Sequence, residues 1–456
     1  MNRVKTRTIT ALVLVAGMVA GLLYYVVSFF LHGNEWASFQ ANRHVYQDGL
    51  VLSGQVIDRY GEILTYAEDG ARYYHADPEL RRATLHALGD RSGNIGTAVL
   101  TRYAAELIGY DPISGVRSLS DRGGTVRLSL DAELNRTALR ALDGRSGTVV
   151  VYDYKTGEIL CMVSAPTFDP DAPPDLSTDE TGYEGAYLNR AISAAFTPGS
   201  IFKLVTTAAA IEQIPGIFDM RFSCEGEMTV DGKRITCQGE HGEISLGNAL
   251  AKSCNCAFGQ IALLLGGETL AEYAAAYGLT EGFSMDVIET ASGRCDVHPD
   301  GSSELAWAGI GQSTDLVNPL SFLRFLGAVA NGGEAVTPRW VMSAGGVAGL
   351  PKTITEKSSE KLMDEKTANA LSTLMSYAVE SNYGAANYPG LSLCAKSGTA
   401  EVGAGAEPHA WFAGFLENED APLAFIVLVE NGGSGSRVAG QVANTVLQAA
   451  VSTLGA

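Results

Sequence analysis

The first clear hydrophobic pattern lies near the start of the chain, where no charged residue occurs from Thr8 to Leu31. At about 1.5 Å per residue such a run crosses the ~30 Å hydrocarbon core of a bilayer, which predicts a spanning helix. It passes through Tyr24, Tyr25, Phe29 and Phe30 without a small-residue cleavage site, the pattern of an uncleaved anchor rather than a removed signal. Further along, Asp58-Arg59-Tyr60-Gly61 reads as a turn and Glu79 to Leu88 as a helix. Thr148 to Asp153 and Glu158 to Ser164 are β-branched and apolar runs joined by Tyr154-Lys155-Thr156-Gly157, the pattern of a hairpin. Leu391 to Val402, Ala410 to Leu416 and Leu423 to Glu430 are three more strand-like runs, and a helix from Arg437 to Leu454 closes the chain. Two strands early, three late and a long, mostly helical stretch between them predict one antiparallel five-stranded sheet flanked by helices. This is an α/β fold of the α+β kind, its sheet assembled from both ends of the domain. The expected division is an anchor over residues 1–32, a small N-terminal pedestal over 33–142 and a main domain over 143–456.

Charge and cysteine content narrow this picture. Arg3, Lys5 and Arg7 precede the apolar run, so the positive-inside rule puts the N-terminus in the cytoplasm and everything after the anchor outside it. Gly17 and Gly21 form a small-xxx-small pair that could seat a partner helix or reflect ordinary glycine usage in a membrane helix. Acidic residues outnumber basic ones by 51 to 32, and the net charge of -19 argues against a nucleic-acid footprint, which would need a basic face. The seven cysteines include no C-x-x-C pair, which fits neither a disulfide-dense scaffold nor a zinc site. Cys224 and Cys237 flank a turn-like Asp231-Gly232-Lys233, so they either bridge across a hairpin or remain two thiols. Cys254-Asn255-Cys256 reads as small buried packing.

The chemistry-bearing residues begin at Pro198-Gly199-Ser200-Ile201-Phe202-Lys203, followed by the apolar helix signature from Leu204 to Ala210. Ser200 then sits in a first helical turn with Lys203 three positions on along the same face. A serine hydroxyl is a poor nucleophile until a base takes its proton, and a lysine serves if burial and nearby positive potential keep its amine neutral. The positive end of the helix dipole supplies such potential and favours a developing oxyanion. An S-x-x-K match alone is weak, since about one or two are expected by chance in a chain of this length. Ser358-Ser359-Glu360-Lys361 matches too, in a polar stretch that reads as a solvated surface helix. What adds weight is order: Ser253-Cys254-Asn255 follows, and then Lys396-Ser397-Gly398-Thr399. Ser92-Gly93-Asn94 and Lys155-Thr156-Gly157 imitate these two elements, but both precede Ser200.

With S-x-x-K, S-x-N and K-[ST]-G in this order, the chain resembles the penicillin-binding protein and serine β-lactamase superfamily, and more narrowly the class B penicillin-binding proteins. Gly54 to Gly61, Thr156 to Ser164, Gly309-Ile310-Gly311-Gln312 and His409 to Phe415 resemble segments of that family as well. The resemblance covers nearly the whole chain beyond the anchor. It implies Ser200 as acyl acceptor, Lys203 as its base, Ser253 as proton relay to the leaving amine, Asn255 as a holder of substrate backbone and Lys396 as a tuner of that relay. It further implies that Ser397 and Thr399 face the donor's terminal carboxylate, that Gly398 leaves room for substrate, and that the N–H groups of Ser200 and Thr399 form the oxyanion hole, a donor there contributing ~3 kcal/mol. The implied activity is a peptidoglycan D,D-transpeptidase that cross-links stem peptides through a serine acyl-enzyme and is acylated by β-lactams, with no metal or organic cofactor.

The resemblance also implies that polymerisation belongs to a membrane partner of the SEDS glycosyltransferase type, since no glycosyltransferase domain fits the available length. Asn318-Pro319-Leu320 stands where relatives often have Thr-Pro-Leu, a departure from which little consequence is expected. Two other functions share the motifs: a β-lactam-hydrolysing or β-lactam-sensing membrane protein, and a catalytically silent scaffold of a cell-wall synthase complex.

Overall fold

The computed structural model describes residues 2–37, 46–47, 50–51, 53–111, 115–116, 123–175, 182–345, 352–353, 358–403 and 405–455. Parts of the expected pedestal, 38–45 and 117–122 among them, lie outside the described residues. Helix α1 (Asn2–Ala37) holds the one segment, among the described residues, that is long and apolar enough to cross a membrane, Val4–Gly33. Its large apolar side chains, such as Leu14, Leu22 and Phe30, are exposed, as a lipid-facing helix requires.

The first large sheet contains β1 (Gln55–Ile57), β2 (Ile63–Glu68) and β3 (Ala71–Tyr74). The expected turn joins β1 to β2: the Asp58 carboxylate accepts the N–H groups of Tyr60 and Glu62, each at 2.8 Å. Helix α2 (Pro78–Leu88) starts on an Asp77 cap, with Pro78 at its first position. After it come β4 (Thr125–Leu128), which pairs in parallel with β1, and α3 (Ala132–Leu142), capped by Asp131. The pedestal sheet is completed from far along the chain, because Val341–Gly345 runs antiparallel to β4 and carries Lys352–Thr353 on its outer edge.

The main sheet is the expected one. It contains β5 (Gly147–Asp153), β6 (Ile159–Ala165), β9 (Leu393–Ala400), β10 (His409–Leu416) and β11 (Leu423–Val429), all antiparallel, in the spatial order β6-β5-β11-β10-β9. Strands β5, β6 and β11 are almost continuously apolar because both faces of the sheet are covered. Val149, Val151, Phe425 and Val427 point to one face, where α3 and α7 (Gly440–Leu454) pack through Leu134, Ala138 and Val446. Val150, Tyr152, Ile426 and Leu428 point to the other, against Leu204, Phe322 and Phe325.

That second layer contains α4 (Lys203–Gln213), α5 (Asn255–Leu265) and α6 (Pro319–Ala330). The stretch expected to be mostly helical also carries a long hairpin, β7 (Phe222–Val230) and β8 (Lys233–Ile244), turning at Asp231-Gly232. Its register sets Cys224 opposite Gly242, and the seven cysteines are all unbridged. Of the three sequence look-alikes, Ser92-Gly93-Asn94 is a turn tied to the Asp90 carboxylate, and Lys155-Thr156-Gly157 is the β5–β6 turn tied to Asp153. Ser359–Lys361 is an exposed strand paired with Glu334–Val336 rather than the expected surface helix.

Candidate active site

Ser200 lies in the short turn Gly199–Ile201 that leads directly into α4, with Lys203 as the first residue of that helix. The turn is held from three sides. Gly199 has φ +54°, its N–H donates to Gly311 O at 2.8 Å, and a Cβ there would meet Thr399 O at 2.7 Å. Gly311, at φ +85°, is equally constrained: a Cβ would sit 2.1 Å from Gly199 O. The third support is Trp411 on β10, whose indole N–H donates to Thr197 O at 3.0 Å while its ring meets Phe196 edge-on. The Ser200 turn is thereby pressed against the end of β9 that carries Thr399.

Beneath the half-buried Ser200 lie two fully buried lysines. Lys203 Nζ donates to Ser253 O and Asn255 Oδ1, both at 2.7 Å, and lies 3.1 Å from Ser253 Oγ. Lys396 Nζ reaches the same hydroxyl at 3.0 Å and donates to Ser397 O at 2.8 Å. Burial, reinforced by the neighbouring Lys396, holds the Lys203 amine well below its ordinary value, and burial brings Lys396 down to about 7. A neutral amine has two N–H donors and one lone pair. In that form the two short contacts of Lys203 would use both donors and leave the lone pair for a hydroxyl proton. Ser253 holds its position in the left-handed region, at φ +53°, between Ala251 at the end of one helix and Asn255 at the start of α5. Asn255 Nδ2 is anchored on Thr236 O at 2.9 Å.

Alternation along the edge strand β9 sorts the third motif. Lys396 and Gly398 face the helical layer, whereas Ser397 and Thr399 line the cleft. A Cβ at 398 would meet Pro198 O at 3.0 Å and Ile201 Cγ2 at 3.1 Å, so the room left by this glycine is filled by the Ser200 turn. This differs from the expectation that it clears space for substrate. The cleft, about 950 Å³, is lined by Ser200, Ser253, Ser397 and Thr399 together with Lys252, Tyr383, Glu407 and Arg437. The sequence motifs thus meet at one place: Ser200, Ser253, Ser397 and Thr399 line the cleft, Lys203 and Lys396 are buried beneath it, and the half-buried Asn255 is tied to Lys203.

Sequence reasoning missed Tyr383, whose hydroxyl accepts the Ser397 N–H at 2.9 Å and lies 3.0 Å from Ser397 Oγ. Burial raises the phenol's pKa and keeps it protonated. It belongs to no motif, and only the fold brings it to β9. The cleft-lining Lys252 and Arg437 also carried no spacing signal.

A family model described as the penicillin-binding protein transpeptidase domain matches residues 147–448. The peptidoglycan D,D-transpeptidase PbpA of Mycolicibacterium smegmatis is 30% identical over 363 residues, covering 72% of this chain and 73% of that protein. Stage V sporulation protein D of Bacillus subtilis is 27% identical over 351 residues, covering 71% of this chain and 52% of the relative. Among solved structures, the ceftriaxone acyl-enzyme of penicillin-binding protein A from M. tuberculosis superposes with a TM-score of 0.76 at 26% identity, covering 88% of this chain and 98% of that one. The D,D-transpeptidase domain of a peptidoglycan glycosyltransferase from Eggerthella lenta does so with 0.72 at 25%, covering 88% and 99%.

Proposed function

The chain belongs to the penicillin-binding protein transpeptidase family, and from that premise we propose that Ser200 is the residue on which its acyl-enzyme forms. The protein is a peptidoglycan D,D-transpeptidase, a serine acyltransferase that β-lactams acylate. Ser200 Oγ attacks the carbonyl carbon between the two D-alanines of a donor stem peptide while its proton passes to Lys203 Nζ. The N–H groups of Ser200 and Thr399 receive the oxyanion. As the tetrahedral species collapses, the C–N bond breaks and Ser253 hands its proton to the departing D-alanine amine, regaining one from Lys203 Nζ, which lies 3.1 Å from its Oγ. The amine of a neighbouring stem peptide then attacks the ester, the C–O bond to Ser200 breaks, and the proton displaced from the amine returns to Oγ through Lys203. A β-lactam follows the first half of this route, but its opened ring remains tethered where the acceptor amine must enter. In this reading Asn255 holds donor backbone, Lys396 tunes the Ser253 relay, and Ser397 and Thr399 receive the donor carboxylate beside Gly398.

One observation carries the assignment: the Ser253 hydroxyl lies 3.1 Å from one buried amine and 3.0 Å from the other, in a cleft that Ser200 lines. The reading divides the chain into an anchor over 1–32, a pedestal over 33–142 and a catalytic unit over 143–456. The N-terminus is then cytoplasmic, the catalytic unit extracytoplasmic, and a SEDS-type glycosyltransferase docks along the anchor and pedestal. Fluorescent penicillin is the direct test. The wild type should label and release the label slowly, Ser200→Ala should not label at all, and labelling of Ser200→Ala at the wild-type rate would refute the nucleophile assignment.

A further inference from the structure

Cys224, Cys237, His241 and Cys254 each direct one ligand atom into a common space, all four atoms lying within 4.8 Å of one another. We propose that they form a closed tetrahedral site for a divalent cation of the zinc class, which clamps the β7–β8 hairpin to the Ser253–Asn255 turn.

The spacing of the donor atoms is the first argument. Four ligands placed tetrahedrally at zinc's usual bond lengths stand about 3.8 Å apart, sulfur to sulfur, and about 3.5 Å apart, sulfur to nitrogen. Here Cys237 Sγ and Cys254 Sγ are 3.9 Å apart, and His241 Nδ1 lies 3.4 Å from Cys224 Sγ and 3.7 Å from Cys237 Sγ. These are the separations a bound ion sets, and they are well beyond the ~2.05 Å of a disulfide.

The backbone is shaped to achieve this. In a regular strand Cys237 and His241 would stand about 13 Å apart. Between Glu225 and Glu227 the register jumps from Glu240 to Thr236, and the resulting bulge folds β8 so that both residues converge with Cys224. Backbone donors suit thiolate ligands as well: Asn255 N–H donates to Cys237 Sγ at 3.3 Å and Ala257 N–H to Cys254 Sγ at 3.4 Å. Three thiolates and an imidazole suit zinc rather than a hard cation, and four protein ligands mark a structural site. Cys224 and Cys254 are buried while Cys237 and His241 are half-exposed, which leaves an entry path. Binding would displace the protons of three thiols.

Position gives the site its consequence. Cys254 is the middle residue of the Ser253-Cys254-Asn255 motif, and Thr236, which anchors the Asn255 amide, directly precedes Cys237. An ion here would fix both ends of the strained turn on which Lys203 and Lys396 converge. The C-x-x-C criterion misses this set because its local signature is Cys237-x-x-x-His241.

The full-length chain, purified in detergent under reducing conditions, should contain one zinc by elemental analysis. Cys224→Ser and His241→Ala should each lose it, while Cys295→Ser, a thiol outside the cluster, should keep it. Release from the wild type by a mercurial thiol reagent, read with a coloured zinc indicator, supplies the measurement if the variants fail to fold. Cobalt(II) in place of zinc should give the visible bands of a thiolate-rich tetrahedral site. Stripped protein should be acylated by penicillin about tenfold more slowly and recover with zinc. A folded wild type without stoichiometric metal, or a Cys237–Cys254 disulfide in the reduced preparation, would overturn the site. Metal-free protein acylated at the full rate would overturn the clamp. Metal content is read without any acylation, so failure of the site and failure of the Ser200 assignment remain distinguishable.

Discussion

Lys203 and Lys396 meet at one hydroxyl, and two amines so close cannot both be charged without cost. In its proposed role as base Lys203 must be neutral, so acylation should fall as pH drops through its folded-state pKa. Below about 7 Lys396 carries a proton, and its positive charge is one of the two causes, after burial, that hold Lys203 down. Replacing that cation by an apolar chain of similar length, Lys396→Met, should therefore raise the Lys203 pKa. The acid limb of the residual acylation rate should move to higher pH by about one unit, and a limb that stays in place or moves down would contradict the coupling. The lysines illustrate what was legible at this scale. Both were found from motif order, but their shared partner and their burial depend on chain segments that no spacing relates. Asn318 has more consequence than its departure from Thr-Pro-Leu suggests in sequence. Buried at the start of α6, it accepts the N–H groups of Leu320 and Ser321 and donates to the carbonyls of Ala191, Ile192 and Ala194. A threonine there can cap the helix but cannot replace the amide donors. Asn318→Ala should lower unfolding stability by about 2 kcal/mol or more, measured by denaturant titration, with Asn318→Thr between it and the wild type.

At the scale of elements, Ser200, the proposed nucleophile, is positioned by close backbone approach rather than by its own helix alone. The Gly309–Gln312 segment resembled the family by sequence, but its physical reason is steric: Gly311 lets a loop from before α6 meet the Ser200 turn through the Gly199 N–H. Gly311→Ala would force the two apart, because a methyl at 2.1 Å from Gly199 O cannot be accommodated. A displacement of roughly 1 Å at a nucleophile costs about a hundredfold, so penicillin acylation should fall by at least that factor while the protein still binds substrate-sized ligands in the cleft. Near wild-type rates would mean that the turn is held by β9 and Trp411 instead. The strands were legible because covered faces demand apolar runs, and the observed bounds differ from the expected ones by at most two residues. The β7–β8 hairpin was obscured because one face is solvated, and polar residues such as Glu225, Glu227, Gln238 and Glu240 dilute its pattern.

Across the whole molecule, pedestal and catalytic unit share structure that a boundary at residue 142 does not reveal. The pedestal sheet takes Val341–Gly345 from the catalytic stretch, and Ser129 N–H bonds to Trp340 O at 2.8 Å. In return the segment before α3 covers β6, the edge strand of the main sheet. Asp131 N–H donates to Leu160 O at 2.8 Å, Ser129 Oγ to Ile159 O at 2.7 Å, and Asn135 Oδ1 accepts the Met162 N–H at 3.0 Å. Arg81 of α2 grips Asp169 through two contacts of 2.7 and 2.6 Å. Without residues 33–142 that edge would lose these partners and Val341–Gly345 would keep only the short Lys352–Thr353 strand beside it, which leaves open edges that invite aggregation. By contrast α1 exposes its apolar surface throughout the span. Two truncated chains separate these effects. Residues 53–456 should stay soluble and acylate penicillin at the full-length rate, whereas residues 143–456 should melt about 10 °C lower or aggregate on heating. Equal melting temperatures would mean that the shared strands contribute little and that the catalytic unit closes its own edges. A full-length rate lost on removing residues 1–52 would mean instead that the anchor reaches the active site.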